Sequence, residues 1–244
     1  MVRTSNLRIV NGLIMKTNMK LRTVMAGATA VLFLASTALP AAEMTRLSAR
    51  SGSKMRLEGT SNIHDWQVEA KLIGGLLEVG PNFPTEPGQN VTPGKVETKG
   101  EAWLSVNSLK SLEKDGRPYS DAMNDRMYEA MKKDANPKVF YFLDELTLKE
   151  VPKTKDAPYV FDAKGRIAAA GVTNQVSMPV NVTPLGDKDK RIKIAGTTEI
   201  KMTDFGIQPP SPPLVGSMIK TGDKVKIIFE WMVGPAKAAA AAAK

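Results

Sequence analysis

The chain has 244 residues, no cysteine, a single histidine and a formal net charge of +9. Thiol chemistry, cysteine-ligated zinc and disulfides are excluded, so stability must come from buried apolar surface, for which one domain of this length suffices. The charge does not describe a nucleic-acid platform: residues 1–42 hold five bases and no acid, and without them 29 bases face 25 acids on a mixed-sign surface with no basic, aromatic-interleaved cluster.

From Met19 the sequence "MKLRTVMAGATAVLFLASTALPAAE" runs from two bases into an apolar core, Val24 to Leu34, and out through small residues. Basic start, short apolar core and small-residue exit describe a cleaved secretory signal peptide. Ser36-Thr37-Ala38 is the best cleavage match, with Ala42 as the alternative, and the residues before Met19 read as an upstream start. The core is short for a retained span, which needs roughly 20 apolar residues. Export of a cysteine-free chain with this signal suggests a bacterial periplasm.

Past residue 43 the chain is written in strands. In 54–59, Met55 and Leu57 alternate with charges. In 66–75, Trp66, Val68, Ala70 and Leu72 share one face against Gln67, Glu69 and Lys71, the period of a half-buried antiparallel strand. Gly74-Gly75 permit a bend before "LLEVG". Residues 81–95 are rich in Pro and Gly and predict a long surface loop. Ala102, Leu104 and Val106 alternate with Glu101, Trp103 and Ser105.

Residues 120–137 predict the one helix. Met123, Met127, Ala130 and Met131 fall on one stripe, Ser120 or Asp121 caps its start, Lys132 and Lys133 suit its last turn, and Asn136-Pro137 ends it. Further strands are predicted over 138–148, 159–171, 175–183, 191–202 and 224–233. In the last, Val225, Ile227, Phe229, Trp231 and Val233 share a face. Between them, 206–216 ("GIQPPSPPLVG") reads as a stiff polyproline-like crossing, and 235–244 is a low-complexity Ala/Lys tail. Eight or nine strands without helical alternation make an all-β sandwich or barrel.

Chemistry-bearing motifs are absent from the sequence. His64, in "GTSNIHDW" (59–66), is the sole candidate base; no GxSxG elbow accompanies it, and one histidine with carboxylates suits zinc poorly. "GQNVTPGKV" has the wrong spacing for a phosphate-binding loop and no following helix. Asp65 points opposite to His64 if the strand has begun, so no relay joins them. His64 is expected to serve its own turn at the strand's mouth.

Four stretches, in order, resemble the YceI-like family of exported, lipocalin-like proteins associated with polyisoprenoid or other long-chain lipid binding. They are "LEGTSNIHDWQVEA" (57–70), "MNDRMYEAMKKDANPKVFY" (123–141), "GRIAAAGVTNQVSMPVNV" (165–182), and "TTEIKMTDFGIQPP" (197–210) followed by "DKVKIIFEW" (223–231). The resemblance implies an eight-stranded antiparallel lipocalin-like barrel over 43–234, with an apolar lumen for a lipid chain, no cofactor and no catalytic residues. It also favours Val139 and Tyr141 as inward in "VFYFL", where both faces are apolar. Tyr141 departs from the family's more usual Phe, and the 81–95 loop and the prolines of 209–213 are unusual.

The expected ligand-contacting set is therefore Leu57, Trp66, Val68, Ala70, Leu72, Ala102, Leu104 and Phe229 by parity, Val139 and Tyr141 by resemblance, Met127 from the helix, and His64 at the mouth. The partner is a long-chain isoprenoid or other lipid, with no nucleic acid; transient membrane contact and a homodimer both stay open. Barrels of this size occur filled as well as hollow. A ligand-free structural module, or a hydrolase using His64, is the competing expectation.

Overall fold

A computed structural model describes residues 43–236 apart from 212, 215 and 216. The predicted signal peptide (1–42) and nearly all of the predicted tail (235–244) lie outside the described residues. The elements are β1 (Thr45–Ala49), β2 (Lys54–Ser61), β3 (Trp66–Ala70), β4 (Gly74–Val79), β5 (Gly94–Val96), β6 (Thr98–Ser105), β7 (Lys110–Leu112), α1 (Asp121–Ala130), β8 (Lys138–Glu150), β9 (Tyr159–Ala169), β10 (Val172–Pro184), β11 (Ile192–Lys201), β12 (Pro213–Leu214), β13 (Ser217–Met218) and β14 (Thr221–Pro235).

All pairings are antiparallel, and the sheet closes on itself. Hydrogen bonding runs β1-β4-β6-β8-β9-β10-β11-β14, and β14 returns to β1 through Val233 opposite Ala49. β14 is long enough to pair twice, with β1 at its end and with β2 over Thr221–Glu230. β1 with β2, β3 with β4, and β6 with β7 thus act as single bent staves, giving a closed eight-stave barrel.

Inward residues follow period 2 where one face is charged. In β9, Tyr159, Phe161, Ala163, Gly165 and Ile167 are buried, while Asp162, Lys164 and Arg166 are exposed. β9 turns into β10 through Ala170 and Gly171 at φ 51° and 87°, a two-residue hairpin whose positive φ values match the twist of the strands. In β8 the pairing slips between Leu143 and Glu145, a bulge that leaves Asp144 unmatched and resets which residues face in. Arg166 holds the bulged Asp144 with two hydrogen bonds of 2.9 Å. Glu145 binds Lys164 at 2.8 Å and Lys95 at 3.0 Å, tying β5, β8 and β9 together on the outside.

Three expectations need correction. β3 stops at Ala70, so Leu72 falls in the turn and is 70% exposed, while Ile73, one residue on, takes the inward place at 6%. The 81–95 segment is more than a surface loop. Phe83, Pro84 and Val91 are buried, Asn82 exchanges hydrogen bonds with the Thr92 backbone, and Tyr159 donates to the Gln89 carbonyl at 2.6 Å. It forms the barrel's floor, with the Phe83 and Phe161 rings 5.8 Å apart.

The helix is also shorter than predicted, ending at Ala130 in a turn whose Lys132 has φ 52°. Ser120 caps it by accepting from the Met123 N–H at 3.2 Å. Its buried residues are Asn124 and Tyr128, with the methionines half-buried. Asn124 Oδ1 accepts from both the N–H and the hydroxyl of Ser111, at 2.8 and 2.9 Å. Tyr128 donates to the Leu109 carbonyl at 2.7 Å and receives from Lys110, a bond that raises the Lys110 pKa. These bonds moor α1 against β7, and Met127 and Met131 pack beside Val68, Leu104 and Val139.

Candidate functional site

The barrel encloses a cavity of about 1170 Å³. Its walls are predominantly apolar, with Leu57, Val68, Leu104, Val139 and Ile227 in the upper half and Leu143, Ala163, Met178 and Ile194 below. The floor is sealed by Leu47, Val79, Tyr159, Phe161 and Val233, each at most 1% exposed. The other end opens between the β2–β3 turn, the β7–α1 loop and the approach to β14, where Ile63 and Tyr119 stand 49% and 40% exposed.

What keeps the barrel hollow is a repeated arrangement of an aromatic ring over a glycine. Gly59 and Trp66 are direct partners across β2 and β3, and a Cβ on Gly59 would fall inside the indole. Gly196 and Phe229 are partners across β11 and β14, where a Cβ would lie 2.7 Å from the ring. On Gly165 a Cβ would lie 2.7 Å from the Tyr141 hydroxyl, and on Gly75 it would lie 2.9 Å from the Trp231 indole. With no side chain beneath, each ring settles onto the wall instead of projecting across the lumen, the close approach for which strand glycines are used.

Ten of the twelve sequence-predicted residues line this cavity: Leu57, His64, Trp66, Val68, Ala102, Leu104, Met127, Val139, Tyr141 and Phe229. Ala70 is fully buried but packs with Val68, Leu109 and Tyr128 outside the lining, and Leu72 is on the surface. Sequence reasoning missed Gly165, Trp231, Ala163 and Met178. Trp231 was legible by parity in 224–233, and Ala163 and Met178 by the alternation of their strands.

At the mouth, His64 is exposed and belongs to a turn. Its N–H donates to Ser61 Oγ at 3.2 Å, and Ser61 Oγ donates back to its carbonyl at 2.7 Å. The ring Nδ1 is 2.8 Å from the Asp65 carbonyl oxygen. A carbonyl only accepts, so Nδ1 carries the proton and is oriented by backbone, without a carboxylate partner. Trp66 Nε1 donates to the Thr60 carbonyl at 3.1 Å, closing the same hairpin. The charged rim is of mixed sign, with Glu58, Asp65, Lys114, Arg126 and Lys224 around the opening.

Deeper in, two lining polar atoms are buried without a hydrogen-bond partner, Tyr141 Oη and Trp231 Nε1. Burial, with a smaller contribution from the Asp144 charge, pushes the Tyr141 phenol far above its ordinary range, so it is a neutral donor throughout. Among the described residues, no three His, Asp or Glu side chains are placed to hold a metal ion.

A closed eight-stave antiparallel barrel, hollow, apolar and open at one end, defines the lipocalin-like class of ligand-holding folds. The model of the YceI-like domain matches residues 82–232, more than half of the chain, and the chain belongs to that family. A polyisoprenoid-binding domain from Saccharophagus degradans, implicated in plant cell wall breakdown, is similar in fold at TM-score 0.53 and 12% identity, covering 80% of this chain and 100% of that one. BcnA of Burkholderia cenocepacia gives TM-score 0.49 and 14% identity over 75% of this chain and 96% of that one. The YceI protein of Campylobacter jejuni gives 0.45 and 12% over 70% and 85%. No curated protein matches the sequence.

Proposed function

We propose that this protein binds one long-chain lipid inside its barrel and acts as a carrier, not as an enzyme. The observation that carries this reading is the apolar cavity of about 1170 Å³, closed at the floor and open at the rim. A site of this shape gains affinity chiefly by taking methylenes out of water, worth about 0.8 kcal/mol each. The depth suits a flexible chain better than a compact solute, and the similarity in fold to a polyisoprenoid-binding domain supports an isoprenoid-like chain. The half-buried Met123, Met127 and Met131 give one wall of the upper lumen an adaptable surface for chains of different cross-section.

The N-terminal pattern supports export, and within the family reading it supports a periplasmic carrier that collects or delivers lipid at a membrane. A His64-based hydrolase is the weaker reading, since the imidazole is held by the Asp65 carbonyl and no nucleophile is activated by it. The direct test is solvent extraction of the purified full chain followed by mass spectrometry. A long-chain lipid approaching one per barrel is expected. A protein that carries none, and takes up none when offered lipid vesicles, refutes the reading. The N-terminal residue of the protein recovered from the cell envelope tests export; cleavage after Ala38 or Ala42 is expected.

A further inference from the structure

Among the described residues, six large apolar side chains stand exposed: Ile63, Leu72, Leu76, Tyr119, Leu185 and Met218. Three of them, Ile63, Tyr119 and Met218, come from separate segments and are brought to the open end of the barrel, with the β2–β3 turn as their hub. Asn62 in that turn donates its N–H to the Lys220 carbonyl at 3.0 Å and accepts the Lys220 N–H on its side chain at 2.8 Å. Its side-chain amide also donates to the Met218 carbonyl at 3.2 Å. On the other flank the His64 ring lies 6.1 Å from the Tyr119 ring, tilted by 44°. The Tyr119 N–H donates to the Ser111 carbonyl at 2.9 Å, which pins its loop to β7. Apolar tips held out on a hydrogen-bonded frame are a contact surface, unlike apolar side chains scattered singly over a wall.

Ile63 and Tyr119 also line the cavity, as does Ile219 beside Met218, so apolar side chains continue from the tips past Leu112 and Met123 into the lumen. A lipid chain passing from this mouth into water would lose roughly fourfold in equilibrium for every methylene exposed. A mouth pressed onto a bilayer removes that barrier, because the chain then moves from one apolar phase to another. We propose that Ile63, Tyr119 and Met218 are the foot by which this protein docks, mouth down, on the surface of a lipid bilayer. The tips enter to the depth of the headgroups, and a tyrosine, with an apolar ring and a polar end, suits that boundary. The charges around the opening are of both signs, among them Lys114, Arg126 and Lys224 with Glu58, Asp65 and Glu113. Docking therefore depends on apolar insertion more than on attraction to an anionic surface.

This inference rests on the lipid-carrier reading and says where the cargo enters and leaves, so its test has two readouts. Protein purified from the cell envelope is floated with phosphatidylcholine vesicles at near-physiological salt. Separately, protein loaded with a pyrene-labelled fatty alcohol is mixed with acceptor vesicles, and transfer of the alcohol is followed by fluorescence. The wild type should float with the vesicles, and replacing part of the lipid by phosphatidylglycerol should change its binding by less than about threefold. Ile63→Ser and Met218→Ser should each weaken vesicle binding about fivefold, and the two together about twentyfold. Leu185→Ser, at an exposed leucine just past the floor end of β10, should leave it unchanged. The transfer rate should rise in proportion to vesicle concentration, because the chain moves during contact, and should fall in the tip variants in the same ratio as binding. A rate independent of vesicle concentration, or vesicle binding that the tip variants leave intact, would overturn the inference and leave the carrier reading standing. A dimer on gel filtration that both tip variants dissolve would assign the tips to a second copy of this chain, and would overturn it as well. Failure to take up the alcohol would count against the carrier reading alone, while flotation of the unloaded protein and its tip variants would still decide the docking.

Discussion

Substituting Ala163→Phe tests whether the lumen is the binding site and not merely a void. Ala163 is 3% exposed, lines the lower cavity opposite Leu146 and Met178, and lies one inward step from Phe161 in the floor. At about 30 Å³ per small group, the volume a water takes in the liquid, about 1170 Å³ holds on the order of 30–40 methylene-sized groups. A phenyl ring planted there removes room for about four or five of them. Each methylene transferred from water is worth about 0.8 kcal/mol, or roughly fourfold in Kd. Affinity measured across a homologous series of n-alkanols should thus climb about fourfold per carbon until the chain fills the lumen, then flatten. In the variant the break should come about four or five carbons earlier, with the same slope below it. A break at unchanged length would refute the placement of the chain in the lower lumen. Loss of affinity at all lengths together would point to a collapsed barrel.

The glycine–ring arrangement predicts that Gly59→Val, which drives a carbon bearing two methyls into the Trp66 indole, lowers unfolding stability in urea by about 1–3 kcal/mol. Asn124→Ala leaves the buried Ser111 N–H without an acceptor and loosens α1 from β7. A loss of about 1–3 kcal/mol is expected, with amide exchange rising first in the helix; unchanged protection there would contradict the mooring role. Glu145 is held at about 2, below its ordinary 4.5, first by Lys164 and then by Lys95. Because the folded value is the lower one, its contribution is complete above about pH 4.5 and disappears as the pH falls through about 2. The Tm gap between wild type and Glu145→Gln should accordingly close over that window, and a gap of constant size would remove the ion pairs as its cause.

The staves were readable wherever charge marks one face. Lys224 and Lys226 alternate with Val225 and Ile227, and Asp162, Lys164 and Arg166 alternate with the buried face of β9, so parity points the lining residues inward. Parity failed where a turn or a bulge interrupts the count. Leu72 continues the pattern of Trp66 and Val68 on paper, but the pairing of β2 with β3 ends at Ala70, and the turn hands the inward place to Ile73. In β8 both faces are apolar because Phe140 and Phe142 stack outside, 5.7 Å apart with Arg166 over the second ring, and the bulge at Asp144 then reverses the parity. The floor escaped because Pro and Gly dominate the composition of 81–95, whereas its role is carried by Phe83 and Val91, which only the tertiary fold brings under the barrel.

Hollowness itself is a property of pairing, and this is why the sequence could place residues inside without saying what they enclose. Inward Trp, Tyr and Phe residues in a barrel of this size would ordinarily fill it. Here Gly59 opposite Trp66 and Gly196 opposite Phe229 become meaningful only once the registers of β2–β3 and β11–β14 are known. Gly165 under Tyr141 requires the diagonal neighbour across β8 and β9, and Gly75 meets Trp231 although β1 stands between their strands in the sheet. The same four contacts that clear the lumen also immobilise the rings that face it. The Trp66 N–H is satisfied by the Thr60 carbonyl at the hairpin, whereas the Tyr141 and Trp231 donors are left facing the cavity. The donors of the wall are therefore satisfied at the rim and unpartnered at depth.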